Sequence, residues 1–211
     1  MARSLTAMRI VPVVELASLD QALPMFDALT RAQLPLVEIT LRTSVAVDAI
    51  MLLRESHPNA LIGAGTVLST EDVRRVASAG ADFAVSPSTN PAVIELCHSL
   101  GLLALPGACT PTDIDVARRA GTTLVKFFPA EAMGGVKFIK ALAGPFRDVS
   151  FIPTGGINAS NLAEYLRAPR VVACGGSWMV APRLLNEREF QTVEALAREA
   201  VRIAERALAD E

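Results

Sequence analysis

Residues 80–129 read GADFAVSPSTNPAVIELCHSLGLLALPGACTPTDIDVARRAGTTLVKFFP. One pattern recurs in it three times: a glycine closing a helix, a short apolar strand, then a proline. The three copies are GADFAVSP (80–87), GLLALPG (101–107) and GTTLVKFFP (121–129). Their glycines fall about 20 residues apart, room only for a tight strand–helix unit. Asn90-Pro91 and Thr110-Pro111 each pair an N-cap residue with a proline at the first helical position, so helices start there.

The same alternation continues outward in both directions. Towards the N-terminus, Arg9 to Leu16, Leu36 to Thr40 and Ala60 to Gly65 read as strands. Towards the C-terminus, Val149 to Pro153 and Arg170 to Cys174 do the same. Helices are expected after each. One is capped by Ser18 with Gln21, and Pro24 should kink it. Others run over Ser44 to Glu55 (ended by His57-Pro58), from Ser69 or Thr70, over Gly135 to Ala143, from Asn158, and over Glu187 to Ala209. Eight parallel strands with eight helical crossovers favour a closed barrel over an open sheet. The expectation is an α/β chain forming a single-domain (β/α)8 TIM barrel over residues 1–211, with a short N-terminal segment and a long C-terminal helix.

Bulk composition narrows the function. Half the 211 residues are apolar (51%), as suits strands buried on both faces. A net charge of −2 argues against a nucleic-acid partner. No apolar run reaches the roughly 20 residues a membrane span needs, and the N-terminus has no clear signal-peptide core, so a cytoplasmic location is expected. Cys97, Cys109 and Cys174 are widely spaced and form no CxxC, which suits free, mostly buried thiols. Neither His57 nor His98 falls at a strand end. No His, Cys or carboxylate cluster has metal-ligand spacing, so no metal is expected.

Lys126 lies inside the sixth apolar strand, LVKFF. The chain has three lysines, and Lys137 and Lys140 sit three apart on an amphipathic helix, as a solvated face requires. A buried lysine is a route to an amine nucleophile; the competing reading is an amine that snorkels to the rim. Lowering its pKa by about 3 units takes roughly 4 kcal/mol of destabilisation of the charged form. Apolar cover from Phe127 and Phe128, with Arg42 as a nearby cation, would supply that. Glu38 sits inside the second strand and shares a face with Thr40; it reads as a general acid/base or as half of a structural ion pair with an arginine. GAGT (63–66) allows close approach of a ligand, with Thr66 as a hydrogen-bonding group. The pairs Gly155-Gly156 and Gly175-Gly176 follow the last two strands, where a phosphate is bound by backbone N–H groups and a helix N-terminus.

Taken together, EITLRT (38–43), GAGTV (63–67), SP (86–87), KFFPAE (126–131), GG (134–135), PTGGI (153–157) and GGSW (175–178) resemble the bacterial 2-dehydro-3-deoxy-6-phosphogluconate aldolases. The resemblance runs from about residue 9 to 182. It implies a class I, cofactor-free and metal-free homotrimer acting on a phosphorylated 2-keto-3-deoxy sugar acid and forming pyruvate. It implies Lys126 as the Schiff-base lysine and Glu38 as general acid/base. Arg42 and Thr66 would hold the substrate carboxylate, and Pro87 and Phe128 would line the pocket. Gly155, Gly156, Gly176 and Ser177 would bind phosphate. Two positions depart from the family: Ser88, where many members have glycine, and Glu15, where relatives carry an apolar or basic residue. Within the class the alternatives are the phosphogalactonate and 4-hydroxy-2-oxoglutarate aldolases, and TLRT (40–43) favours the phosphogluconate enzyme. From other classes, a non-catalytic phosphate-sugar-binding barrel would have no use for a lysine in strand six, and a phosphate-binding isomerase or synthase would use no imine.

Overall fold

The computed structural model describes residue 5 and residues 7–209. Parallel strands curl into a sheet with helices on the outside. The strands are β1 (Ile10–Val14), β2 (Leu36–Thr40), β3 (Leu61–Gly65), β4 (Phe83–Val85), β5 (Leu103–Leu105), β6 (Gly107–Ala108), β7 (Leu124–Phe127), β8 (Ser150–Pro153) and β9 (Cys174–Gly176). Six of them pair in the order β5-β4-β3-β2-β1-β9, and three in the order β6-β7-β8. Single bridges Phe151↔Val171 and Thr154↔Gly175 link the β8 and β9 segments. The expected fifth strand, GLLALPG, is split into β5 and β6 at Pro106, which has no N–H for a ladder. Its carbonyl still accepts from Lys126 N–H at 2.9 Å.

The helices are α1 (Ala22–Arg31), α2 (Ala46–Ser56), α3 (Thr70–Ser78), α4 (Pro91–Ser99), α5 (Pro111–Arg119), α6 (Gly135–Ala143), α7 (Leu162–Leu166), α8 (Pro182–Asn186) and α9 (Phe190–Ala209). Asn90 and Thr110 cap α4 and α5 as expected, each followed by proline. Ser69 caps α3 through a reciprocal bond with Asp72. Ser18 opens a 3-10 turn, Leu19–Gln21, before α1. Pro24 falls in the first turn of α1, just after the change from 3-10 to α.

Two further expectations are corrected. The last strand is Cys174–Gly176 and not Arg170 to Cys174. Its register pairs Cys174, Gly175 and Gly176 with Ile10, Val11 and Pro12, so the second glycine pair lies in the strand and not beyond it. Asn158 does not cap a helix: its Oδ1 accepts from Ser160 N–H in a local turn, and α7 starts at Leu162 behind Asn161.

Period-two alternation sorts the strand residues. Val37, Ile39, Ile62, Ala64, Val125, Phe127 and Phe151 pack outward against the helices. Val11, Leu36, Phe83, Val85, Leu105, Ile152 and Ala173 meet inside the curl as a second apolar cluster. The next inward positions along β2 and β7 are Glu38 and Lys126, so this cluster is the floor beneath them. Gly63 makes the floor possible, because a Cβ there would lie 2.1 Å from the Phe83 ring. At the strand starts, Arg54 ties the layers together. It donates to the carbonyls of Gly80, Pro58 and Ala60 and pairs with Asp82. The long helix α9 packs on α1 and α7 and buries Val193, Ala197, Ala200 and Ala204. Among the described residues no helix is long and apolar enough to cross a membrane.

Two predictions follow from this packing. Gly63→Ala should cost about 1–3 kcal/mol by forcing the Phe83 ring aside, read as a lower urea midpoint at unchanged slope. Burial pushes the Cys97 thiol up to about 11. A thiol harder to ionise in the folded chain stabilises it while both states are protonated. That contribution fades as pH rises from the ordinary thiol range, about 8.5, towards 11. The urea midpoint should fall over that window, and less steeply in Cys97→Ala.

Candidate active site

At the C-terminal ends of the strands a cavity of about 260 Å³ opens, lined by Val13, Glu15, Thr40, Arg42, Thr66, Lys126, Phe128, Thr154 and the Gly155–Ile157 and Gly175–Ser177 turns, among others. Parallel strands bring their ends together there by construction, so residues 13 and 177 meet although they are far apart in sequence.

Lys126 is the central cation. Its side chain is 10% exposed, and Nζ donates to Glu38 Oε1 at 3.3 Å; Glu38 is 3% exposed. Nζ also lies 5.2 Å from the centroid of the Phe128 ring. The charge beside Lys126 is thus a carboxylate. Arg42, expected as the neighbouring cation, instead has its own carboxylate partner, Glu15, at 3.5 Å across the mouth of the cavity. Gly65 explains how Glu38 fits: a Cβ at that position would stand 2.3 Å from Glu38 Oε1. The glycine makes room for the protein's own carboxyl group and not, as expected, for a ligand. Thr66 follows with φ +58°, an uncommon conformation for a β-branched residue, and lines the cavity.

Opposite this group, Gly155 and Gly156 turn with φ +102° and +85°, where a side chain would be strained. Their carbonyls face the scaffold. Gly155 O accepts from Glu131 N–H at 3.0 Å, and Gly156 O accepts from Asn161 Nδ2 at 3.0 Å and Asn158 Nδ2 at 3.4 Å. Among the described residues none accepts from the N–H of Gly156 or Ile157, while Gly155 is engaged by the Thr154↔Gly175 bridge. Such successive free amides form an anion-binding concavity. The expected helix N-terminus is not part of it, since α7 has five residues and begins beyond the turn. Gly175 and Gly176 make room for Thr154 Oγ1 and the Trp178 ring, which a Cβ would meet at 2.3 and 1.8 Å.

Eight of the ten sequence-predicted residues line this one cavity: Lys126, Arg42, Thr66, Phe128, Gly155, Gly156, Gly176 and Ser177. Glu38 joins them through its bond to Lys126. Pro87 lines a neighbouring cavity with Ser88, Cys109 and Asp113, the two sharing Phe128. The Pro87 carbonyl is held close over Gly107, whose Cβ would lie 2.3 Å from it. Thr154, Val13 and Pro182 also line the first cavity without having been singled out. Thr154 had a signal, since it immediately precedes the glycine pair. Pro182 enters from α8 and had none. Among the described residues no three His, Cys, Asp or Glu side chains group as a metal site.

The family model described as KDPG and KHG aldolase matches residues 1–196. The chain is 46% identical over 199 residues to the 2-dehydro-3-deoxy-phosphogluconate aldolase of Haemophilus influenzae, covering 94% of each. It is 41% identical over 197 residues to the KHG/KDPG aldolase of Escherichia coli K12, covering 93% of this chain and 92% of that one. Among solved structures it is similar to the KDPG aldolase of Legionella pneumophila with pyruvate captured as a covalent carbinolamine intermediate. That likeness has a TM-score of 0.89 and 35% identity, over 92% of this chain and 97% of that one. On sequence and fold alike, the chain belongs to the KDPG and KHG aldolase family.

Proposed function

We propose that the chain is a class I aldolase that cleaves 2-dehydro-3-deoxy-6-phosphogluconate to pyruvate and glyceraldehyde 3-phosphate through an imine on Lys126. The observation that carries this reading is the buried Lys126–Glu38 hydrogen bond in a cavity whose far wall offers unpaired amide donors. Across that bond Glu38 takes the ammonium proton and leaves a neutral amine. The amine attacks the C2 ketone of the substrate, and Glu38 returns a proton as the carbinolamine loses water. Glu38, directly or through water, then removes the C4 hydroxyl proton. The C3–C4 bond breaks, and its electron pair moves into the iminium to give an enamine. Protonation at C3 and hydrolysis release pyruvate and free Lys126. Arg42 and Thr66 hold the substrate carboxylate, Arg42 in a forked geometry that lysine does not offer. Phe128 and Pro87 wall the pyruvate end. Gly155, Gly156, Gly176 and Ser177 take the phosphate.

The name of the Escherichia coli relative favours a second substrate, 4-hydroxy-2-oxoglutarate, at the same site. The architecture that fits is one (β/α)8 barrel domain over the whole chain, with β5 and β6 counted as one strand. The bridges between the β8 and β9 segments support that closure. The family resemblance supports a homotrimer working in the cytoplasm without metal or cofactor.

Pyruvate with borohydride should leave an irreversible, mass-detectable adduct on Lys126, absent from Lys126→Met. An adduct on Lys137 or Lys140 would overturn the assignment. Glu38→Gln should lower kcat by about 10²–10⁴. Glu15→Gln frees Arg42 from its standing partner, so pyruvate binding should tighten several-fold, about the worth of one exposed ion pair; weaker binding would mean that Glu15 contacts the substrate. Assay of the two C4 epimers would separate phosphogluconate from phosphogalactonate cleavage.

A further inference from the structure

Glu131 and Tyr165 lie outside the cavity and are used by none of the chemistry above, yet they meet directly behind the Gly155–Gly156 turn. Tyr165 sits on α7 and is buried, and its hydroxyl donates to Glu131 Oε1. Gly135 allows the meeting. It has φ +58°, and a Cβ there would lie 3.1 Å from the Tyr165 hydroxyl and 3.2 Å from Glu131 Oε1. Glu131 in turn covers the back of Gly156, where a Cβ would stand 2.4 Å from Glu131 Cγ. The backbone beside it is tied in the same place, with Ala130 N–H donating to Thr154 O at 2.9 Å and Glu131 N–H to Gly155 O at 3.0 Å.

The consequence is geometric and electrostatic at once. Glu131 braces the left-handed turn from outside, which keeps its carbonyls on the scaffold and its N–H groups towards the cavity. A carboxylate behind an anion cradle also opposes the anion. The Tyr165 hydroxyl holds that carboxylate towards α7, and burial together with Glu131 keeps the phenol protonated.

We propose that Glu131 and Tyr165 form a positioning pair that sets the affinity of the Gly155–Ser177 cradle for the phosphate end of the substrate. The proposal rests on reading that cradle as the phosphate site. Tyr165→Phe removes the donor. Glu131→Gln keeps length, packing and an oxygen for the phenol, and at an exposed position it leaves the core undisturbed. Tyr165→Phe should raise KM for the phosphorylated sugar acid about tenfold, the scale of one charged hydrogen bond, and weaken calorimetric titration with inorganic phosphate by the same factor. Glu131→Gln, which keeps an acceptor for the phenol and loses the opposing charge, should bind phosphate at least as tightly as the unaltered protein. Cleavage of 4-hydroxy-2-oxoglutarate and borohydride trapping of pyruvate should be unchanged. Equal losses on both substrates would overturn the proposal in favour of a purely structural pair. Unchanged phosphate binding in Tyr165→Phe, or none in the unaltered protein, would overturn it too. Failure of the unaltered protein to trap pyruvate would remove the aldolase reading instead, and the calorimetry would still decide the pair.

Discussion

An ammonium and a carboxylate 3.3 Å apart, nearly sealed from water, set the terms for everything around them. Neither charge could stay buried alone, since removing one partner of such a pair strands the other in a low-dielectric interior. The pair needs an apolar floor, and the Phe83 layer supplies it. It needs room, and Gly65 gives up a side chain for it. It also needs two strands to deliver the charges to the same height, and β2, held between β1 and β3, and β7, held between β6 and β8, do this without help from any loop. The reactive groups therefore stand on the most rigid parts of the fold, while the substrate's outer end meets turns.

Those turns follow a different rule. The anion cradle is built from backbone, so its identity resides in conformation and not in side-chain chemistry. Left-handed glycines aim the amides, and neighbouring residues hold the carbonyls away. Asparagine side chains and the 130–135 segment perform that second task, and it is where remote residues gain leverage over binding.

The parts legible in the sequence were those where a local feature has a local cause. Glu38 and Lys126 stood out because charges inside LVEIT and LVKFF contradict their surroundings, and the structure joins them. Strand β2 and helix α6 fall where the apolar pattern and flanking signals put them. Other features depend on contacts that no local pattern records. The last strand shifted because glycines, poor strand formers alone, were chosen for what packs against them, Thr154 and Trp178. The partner of Arg42 was invisible since Glu15 follows a different strand, β1, and the Glu131–Tyr165 contact spans 34 residues through a gap left by Gly135.

The doubled ion pairing of the cavity bears on how a substrate arrives. Lys126 comes with Glu38 and Arg42 with Glu15, so the charged groups at the mouth sum to zero. A cleft of that kind casts little long-range field and does little to gather anions from solution. Capture then depends on short-range hydrogen bonds made after collision. Encounter should be nearly indifferent to ionic strength, and discrimination among sugar acids is exercised at the bound stage and not on approach.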